Sequence, residues 1–199
     1  MTIQGNELTF LRANTDIIVA VAEEGAIGAQ GSLLVPIRED LQRFKRLTED
    51  DTVIYGRKTL DTFPGGKPLK NRRNLILSRT LDSNDLQGNT ETKVFGDVSS
   101  LASHLLEEIK EMGPGHGAAC GRRSYHIIGG AEIYRLLLPW AGSLHITELK
   151  LTREDADVWM PDDLLEGFKK IWTGPWTRAG KKKPLAYRYV YYERDGDQR

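Results

Sequence analysis

Two acids sit side by side in the stretch PIREDLQRFKRLT at residues 36–48, which reads as a short helix. Advancing about 100° per residue, Phe44 and Leu47 fall within about 40° of Asp40, with Leu41 at the edge of the same apolar arc. Glu39 falls on the solvated side beside Arg43, its partner at i+4. A first-turn acid ordinarily serves the helix dipole or a cap. A carboxylate on an apolar face, however, is costly unless something donates to it, and no lysine, arginine or histidine on that helical face is placed to do so. A ligand edge with two parallel N–H donors, such as the 2-amino-4-oxo edge of a pterin, would satisfy Asp40 through both oxygens.

Three further segments carry groups suited to phosphate. In VIYGRKT (53–59), Gly56 turns the chain out of a strand and Arg57, Lys58 and Thr59 open a helix whose first N–H groups are free. A surface turn is the plainer explanation of that segment alone. In NLILSR (74–79), Ser78 and Arg79 end another strand, where a second phosphate or an adenosine could sit; alone, a solvated strand end explains them. In HIIGGAEIY (126–134), paired glycines between strand and helix allow an approach that any Cβ would block. The full G-x-G-x-x-G spacing is absent, and a tight turn without ligand explains the pair equally well. If the three segments converge, Arg57, Lys58 and Arg79 supply more positive charge than a bare pyrophosphate requires. That excess points to a 2′-phosphate, and so to NADPH over NADH.

The elements that must position these residues follow from periodicity. The apolar runs DIIVAVA (16–22), TVIYG (52–56), NLILS (74–78) and YHIIGG (125–130) have strand length and suit strands covered on both faces. SLHITEL (143–149) and YRYVYYE (187–193) alternate as strands do. VSSLASHLLEEI (98–109) has leucines at helical spacing behind Ser99 and Ser100 as possible caps, and AEIYRLLLP (131–139) is a short helix stopped by Pro139. GAIGAQGS (25–32) reads as a mobile Gly-rich loop and GPGHGAACGRR (113–123) as a long polar one. The expected fold class is α/β, a twisted, mostly parallel central sheet with antiparallel C-terminal strands and helices on both faces. Residues 16–199 form one domain behind an irregular extension, 1–15.

Among the 199 residues, 28 basic and 28 acidic side chains cancel, which gives no reason to expect nucleic acid or an anionic membrane as partner. The one cysteine, Cys120, excludes an internal disulfide and fits a reducing compartment. No apolar run approaches the roughly 18 residues of a membrane span, and residues 1–15 lack the build of a signal peptide, so cytoplasm is expected. His104, His116, His126 and His145 lack a ligand spacing and read as structural residues; no metal is expected.

AVAEEGAIG (20–28), REDLQRFKRLT (38–48), VIYGRKT (53–59), KPLKNRRNLILSR (67–79), IIGGAEIYRLLLP (127–139) and HITEL (145–149) match, in order and with similar spacing, the motif series of dihydrofolate reductase. The chain resembles that family over about residues 16–194. The resemblance implies reduction of 7,8-dihydrofolate by hydride transfer from NADPH to C6 with protonation of N5. Asp40 corresponds to the family's active-site acid, which holds pterin N3 and the 2-amino group, and Thr147 to the threonine bonded to it. Arg72, an ordinary loop cation by itself, corresponds to the arginine that binds the substrate's α-carboxylate. Leu41 and Phe44 would surround the pterin and aminobenzoyl rings, Ile18 and Ala20 would form the floor, and Leu33, Val35, Leu69, Ile128 and Tyr134 would complete the substrate wall. For NADPH the resemblance implies Ala20, Ile27, Gly28, Gly56, Arg57, Lys58, Thr59, Leu77, Ser78 and Arg79, with Ile128, Gly129, Gly130, Ala131, Glu132 and Ile133.

The chain departs from the family pattern in LLVPI (33–37). Val35 stands where a tryptophan is usual, and Leu33 replaces a methionine, a volume-conserving exchange. A monomer that also binds antifolate inhibitors is implied. The alternatives are a riboflavin-pathway type reductase, which shares the cradles but not Asp40 or Arg72, and a noncatalytic nucleotide-binding module. Oxidation of NADPH with dihydrofolate separates all three.

Overall fold

The computed structural model describes the chain except residues 1, 2, 4, 83–85, 87–90, 112–123, 181–183 and 197–199. In chain order it contains α1 (Asn6–Asn14), β1 (Thr15–Val21), β2 (Ala26–Ala29), β3 (Ser32–Leu33), α2 (Arg38–Thr48), β4 (Thr52–Gly56), α3 (Arg57–Asp61), β5 (Arg73–Leu77), β6 (Thr92–Phe95), α4 (Val98–Glu111), β7 (Tyr125–Gly129), α5 (Ala131–Leu137), β8 (Ser143–Leu149), β9 (Val158–Trp159), β10 (Phe168–Thr173), β11 (Thr177–Ala179) and β12 (Leu185–Arg194).

Neighbouring residues on the apolar strands enter opposite cores. Ile17, Val19, Ile54, Leu75 and Ile127 pack with Leu11, Leu101, Leu105 and Leu137, whereas Ile18, Val53, Tyr55, Ile76 and Ile128 pack with Phe44, Leu47 and Leu60. The period of two therefore sends α1, α4 and α5 to one face of the sheet, and α2 and α3 to the other. Burying each such aliphatic side chain contributes about 1.5–3 kcal/mol. The nine-stranded sheet has the order β10-β12-β8-β1-β7-β4-β5-β6, with β11 beside β12. Pairings among β8, β1, β7, β4, β5 and β6 are parallel, and β12 joins β8, β10 and β11 antiparallel. The order reverses at β7, which returns from the α4 connection to lie between β1 and β4. Such a reversal opens a crevice at the carboxyl ends of the strands.

Several expectations are corrected. The expected irregular extension 1–15 contains a helix, because α1 occupies Asn6–Asn14 with Leu11 fully buried. Arg12 Nε donates to Pro139 O at 3.0 Å, and a Cβ on Gly142 would stand 2.0 Å from Arg12 O, so only glycine admits this helix against the turn before β8. The segment 25–32 is not a loop but part of a hairpin, β2 with β3, extended by β9. Gln30 and Gly31, with φ 51° and 70°, make its turn, and small residues let it pack: a Cβ on Gly28 would lie 3.3 Å from Val158 Cβ. Asp97, not Ser99 or Ser100, caps α4, its Oδ1 accepting the Ser100 N–H at 2.7 Å. Strands β6, β10 and β11 had no separate expectation; β10 is largely exposed and lacks the inward alternation that would have shown it. The expected loop 113–123, with His116 and Cys120, lies outside the described residues. No described helix is long and apolar enough to cross a membrane.

Candidate active site

Strand register assembles the acid's surroundings. Ala20 of β1 pairs with Thr147 of β8, which pairs with Tyr189 of β12. Above this row the first turn of α2 holds Asp40, half-buried, and Thr147 Oγ1 donates to its Oδ1 at 2.6 Å. Burial raises the Asp40 pKa above the usual carboxylate value, while the Thr147 hydrogen bond and the charge of Arg43 pull it back. Among the described residues no hydrogen bond reaches Oδ2, so the carboxylate retains an acceptor for a ligand.

Arg43 differs from expectation. It does not stay with exposed Glu39 but turns inward, its Cζ 4.5 Å over the Tyr189 ring and its Nη2 3.1 Å from His145 Nδ1. A flat ring and a ring-nitrogen acceptor on the sheet suit the guanidinium plane better than one exposed carboxylate. Asp40 therefore has a cationic neighbour that its helical face did not reveal.

The aromatic and aliphatic candidates gather on two sides of the acid. Ile18, Phe44, Leu69 and Ile128 share one cluster. Ala20 and Val35 pack against a second, formed by Leu34, Ile37, Ala29 and others. Asp40 follows Ile37 and precedes Phe44 on the helix, so it stands where the clusters meet. Leu41 and Leu33 are 44% and 52% exposed and belong to neither core. Tyr134, buried, donates to Ile18 O at 3.0 Å, which ties α5 to β1; burial holds its phenol pKa far above the usual value.

Arg72 is anchored at the far end of α2. Its Nε donates to Thr48 Oγ1 at 3.1 Å, Nη1 to Lys70 O at 2.6 Å and Nη2 to Lys45 O at 3.3 Å, which leaves one N–H on each terminal nitrogen for a carboxylate. Asn74 builds that loop and was not singled out from the sequence. Fully buried, it accepts the Leu69 N–H at 3.0 Å and the Tyr55 hydroxyl at 2.8 Å, and donates to Leu69 O at 2.9 Å and Arg72 O at 3.0 Å. The available signal was an amide at the start of an aliphatic strand, where burial obliges it to find partners.

The three phosphate-type segments follow β7, β4 and β5, adjacent parallel strands, so their ends lie side by side. Gly129 has φ 133°, and a Cβ there would lie 3.1 Å from Thr59 Oγ1; the Gly129–Gly130 peptide is cis. Gly56 ends β4 and caps α3 as expected, and it also lets α5 pack on β4, since its Cβ would meet Ile133 Cγ1 at 3.0 Å. Arg57 bridges Asp61 at 2.9 Å on the surface, Lys58 and Arg79 are exposed, and Ser78 Oγ accepts the N–H groups of Thr80 and Leu81 at 3.2 and 3.0 Å. Leu77 and Ile133 send their side chains into the opposite core, and Ile27 packs against it too, so only their backbones could face a ligand. Gly28 is buried in the hairpin, Ala131 is half-buried and Glu132 exposed. The convergence of cations, hydroxyls and paired glycines fits a phosphorylated dinucleotide. Among the described residues no group of three or more His, Cys, Asp or Glu side chains could hold a metal ion.

Comparison with known proteins agrees with this geometry. The family model described as "Dihydrofolate reductase" matches residues 14–194. The chain is 38% identical over 183 residues to the dihydrofolate reductase of Mycobacterium leprae, covering 89% of this chain and 96% of that one. It is 34% identical over 177 residues to that of Neisseria gonorrhoeae, covering 88% and 95%. A solved dihydrofolate reductase from Enterococcus faecalis, complexed with NADP(H) and RAB-propyl, superposes with a TM-score of 0.71 at 23% identity, over 92% of this chain and 98% of that one, which shows the shared fold. The chain thus belongs to the dihydrofolate reductase family of NADPH-dependent oxidoreductases.

Proposed function

We propose that the chain reduces 7,8-dihydrofolate to 5,6,7,8-tetrahydrofolate in the crevice between α2 and the ends of β1 and β7, with Asp40 as its acid. The observation that carries the reading is the half-buried Asp40 carboxylate, one oxygen held by Thr147 at 2.6 Å and the other without a bond among the described residues. That geometry supports two parallel acceptances, from pterin N3–H and from the 2-amino group. Burial raises the proton affinity of Asp40, which suits a group that promotes protonation of N5. Bound NADPH supplies the hydride for C6. Ile18, Phe44 and Ile128 exclude water and fix the stacked rings, which turns an encounter of two reactants into a positioned one. Arg72 offers its two remaining N–H groups to the substrate α-carboxylate. Arg57, Lys58, Thr59, Ser78 and Arg79, with the backbone around Gly129 and Gly130, are the groups that would hold the cofactor phosphates.

Val35 stands where the family usually carries a tryptophan and packs with Leu34 and Ile37, so at that position this chain offers no indole N–H beside the acid. The same Asp40 oxygens would receive the two-donor edge of antifolates. The reading extends to a monomeric enzyme and to the cytoplasm, for which a single cysteine in 199 residues fits a reducing compartment.

The test is NADPH oxidation with dihydrofolate, in the native chain and in Asp40→Asn. Native turnover that falls at least about a hundredfold at neutral pH in the variant, with cofactor affinity unchanged, supports the role. Near-normal turnover removes Asp40 from the mechanism.

A further inference from the structure

The α2 face of the sheet carries a chain of charges that the mechanism leaves unused. Arg43 Nη2 lies 3.1 Å from His145 Nδ1, His145 Nε2 3.6 Å from Asp16 Oδ2, Asp16 Oδ1 2.8 Å from His126 Nδ1, and His126 Nε2 3.2 Å from Asp51 Oδ2. The chain crosses β8, β1 and β7 and reaches the residue before β4. An arginine can only donate, so His145 Nδ1 is the acceptor, and a neutral His145 carries its proton on Nε2, toward Asp16. Asp16 is thereby shared between two imidazoles. Protonating His145 would set two donors against each other and release Arg43.

At its other end this chain meets the active-site acid. Asp40 and Arg43 are i,i+3 neighbours on one helix. Arg43 Nη1 is buried and has no hydrogen-bond partner among the described residues, and no side chain forms an ion pair with the guanidinium within 4.0 Å among them. The charged and titratable groups around Arg43 are Asp40 and Arg46 of its own helix, Tyr189 of β12, His145 of β8 and Asp16 of β1; those around Asp40 are Arg43 and Tyr189. Arg43 is thus the cation that burial places beside the acid. We propose that Arg43 is a positioning residue for the reaction, held inward by His145 and the Tyr189 ring so that its charge offsets part of the burial cost of the Asp40 carboxylate that receives the substrate. The proposal rests on Asp40 being the acid of the reaction.

The test compares native chain, Arg43→Met, Arg43→Lys, His145→Phe and Asp40→Asn, by the pH profile of dihydrofolate reduction and by titration of the ¹³C-labelled aspartate carboxyls in the unliganded protein. Arg43→Met is expected to move the Asp40 midpoint up by about one pH unit and to displace the rate profile with it. Arg43→Lys restores most of the shift, because the charge survives although the planar contact does not. His145→Phe keeps the guanidinium, moves the midpoint the same way by less, and carries the test if Arg43→Met does not fold. A uniform drop in rate with an unmoved midpoint in Arg43→Met and His145→Phe overturns the proposal and leaves Arg43 a packing residue. An unaltered profile in Asp40→Asn overturns the assignment of the acid itself, and the proposal with it.

Discussion

The contact that organises the site can be isolated by a double-mutant cycle. Thr147→Val deletes the donor that lies 2.6 Å from Asp40 Oδ1 and leaves a side chain of the same shape. A hydrogen bond to a charged acceptor contributes about 1.5–3 kcal/mol, a neutral one about 1 kcal/mol. The same substitution in an Asp40→Leu background removes a hydroxyl that no longer has its acceptor and should cost close to nothing. With a urea dependence of about 2 kcal/mol per molar for a chain of this size, the unfolding midpoint at neutral pH should fall by about 1 M in the native background and hardly move in the leucine background. At a pH low enough to protonate Asp40, the native shift should shrink by about half, because the acceptor is then neutral. Equal shifts in the two backgrounds would mean that the hydroxyl stabilises the protein through something other than the acid, and the account of the site would fail.

Three other outcomes follow from the same geometry. Burial raises the Asp40 pKa, so ionising it opposes folding: stability is lost as pH rises from the ordinary carboxylate value through the raised one. Asp40→Asn should therefore unfold at higher denaturant than the native chain at neutral pH, with the gain vanishing in acid; a variant less stable at neutral pH refutes the sign. Arg72→Leu should raise the KM for dihydrofolate by roughly 10- to 100-fold, from the loss of charged hydrogen bonds. A pterin without the glutamate should be unaffected, and equal losses would refute the carboxylate contact. At His126 burial disfavours the charge, but Asp16 and Asp51 overcome it and raise the pKa to about 9. The stability it contributes is full below its ordinary value and lost as pH rises through about 9, and His126→Gln should flatten that limb of the unfolding-midpoint curve.

Much of this architecture is legible in order along the chain. The runs at 16–22, 52–56, 74–78 and 125–130 have apolar residues at successive central positions, as strands covered on both faces do, and they form β1, β4, β5 and β7 within a residue or two at each end. What failed to show were elements whose stability is not local. The helix α1 has a weak apolar stripe and forms because Leu11 and Arg12 find the turn before β8, more than a hundred residues away. The hairpin β2–β3 is composed of residues that favour loops and exists because β9 pairs with it. The cap of α4, Asp97, lay two residues before the first of the expected serines.

The site divides along the same line. The chemistry was determined by residue type and spacing: one carboxylate on the apolar arc of a helix, cations and glycines at strand ends, an arginine in the loop before a strand. These are properties of neighbours in the chain, and helical or extended geometry carries them into space without further information. Their surroundings were decided by the tertiary structure. Strand order alone sets the ends of β7, β4 and β5 beside one another, and register alone puts Thr147 under Asp40. Arg43 turned from water to the sheet because the Tyr189 ring and the His145 nitrogen lie more than a hundred residues downstream, and no periodicity within α2 can report what the opposite surface offers. A side chain's kind is written locally, but its dielectric environment and its partners belong to whatever the rest of the chain folds against it.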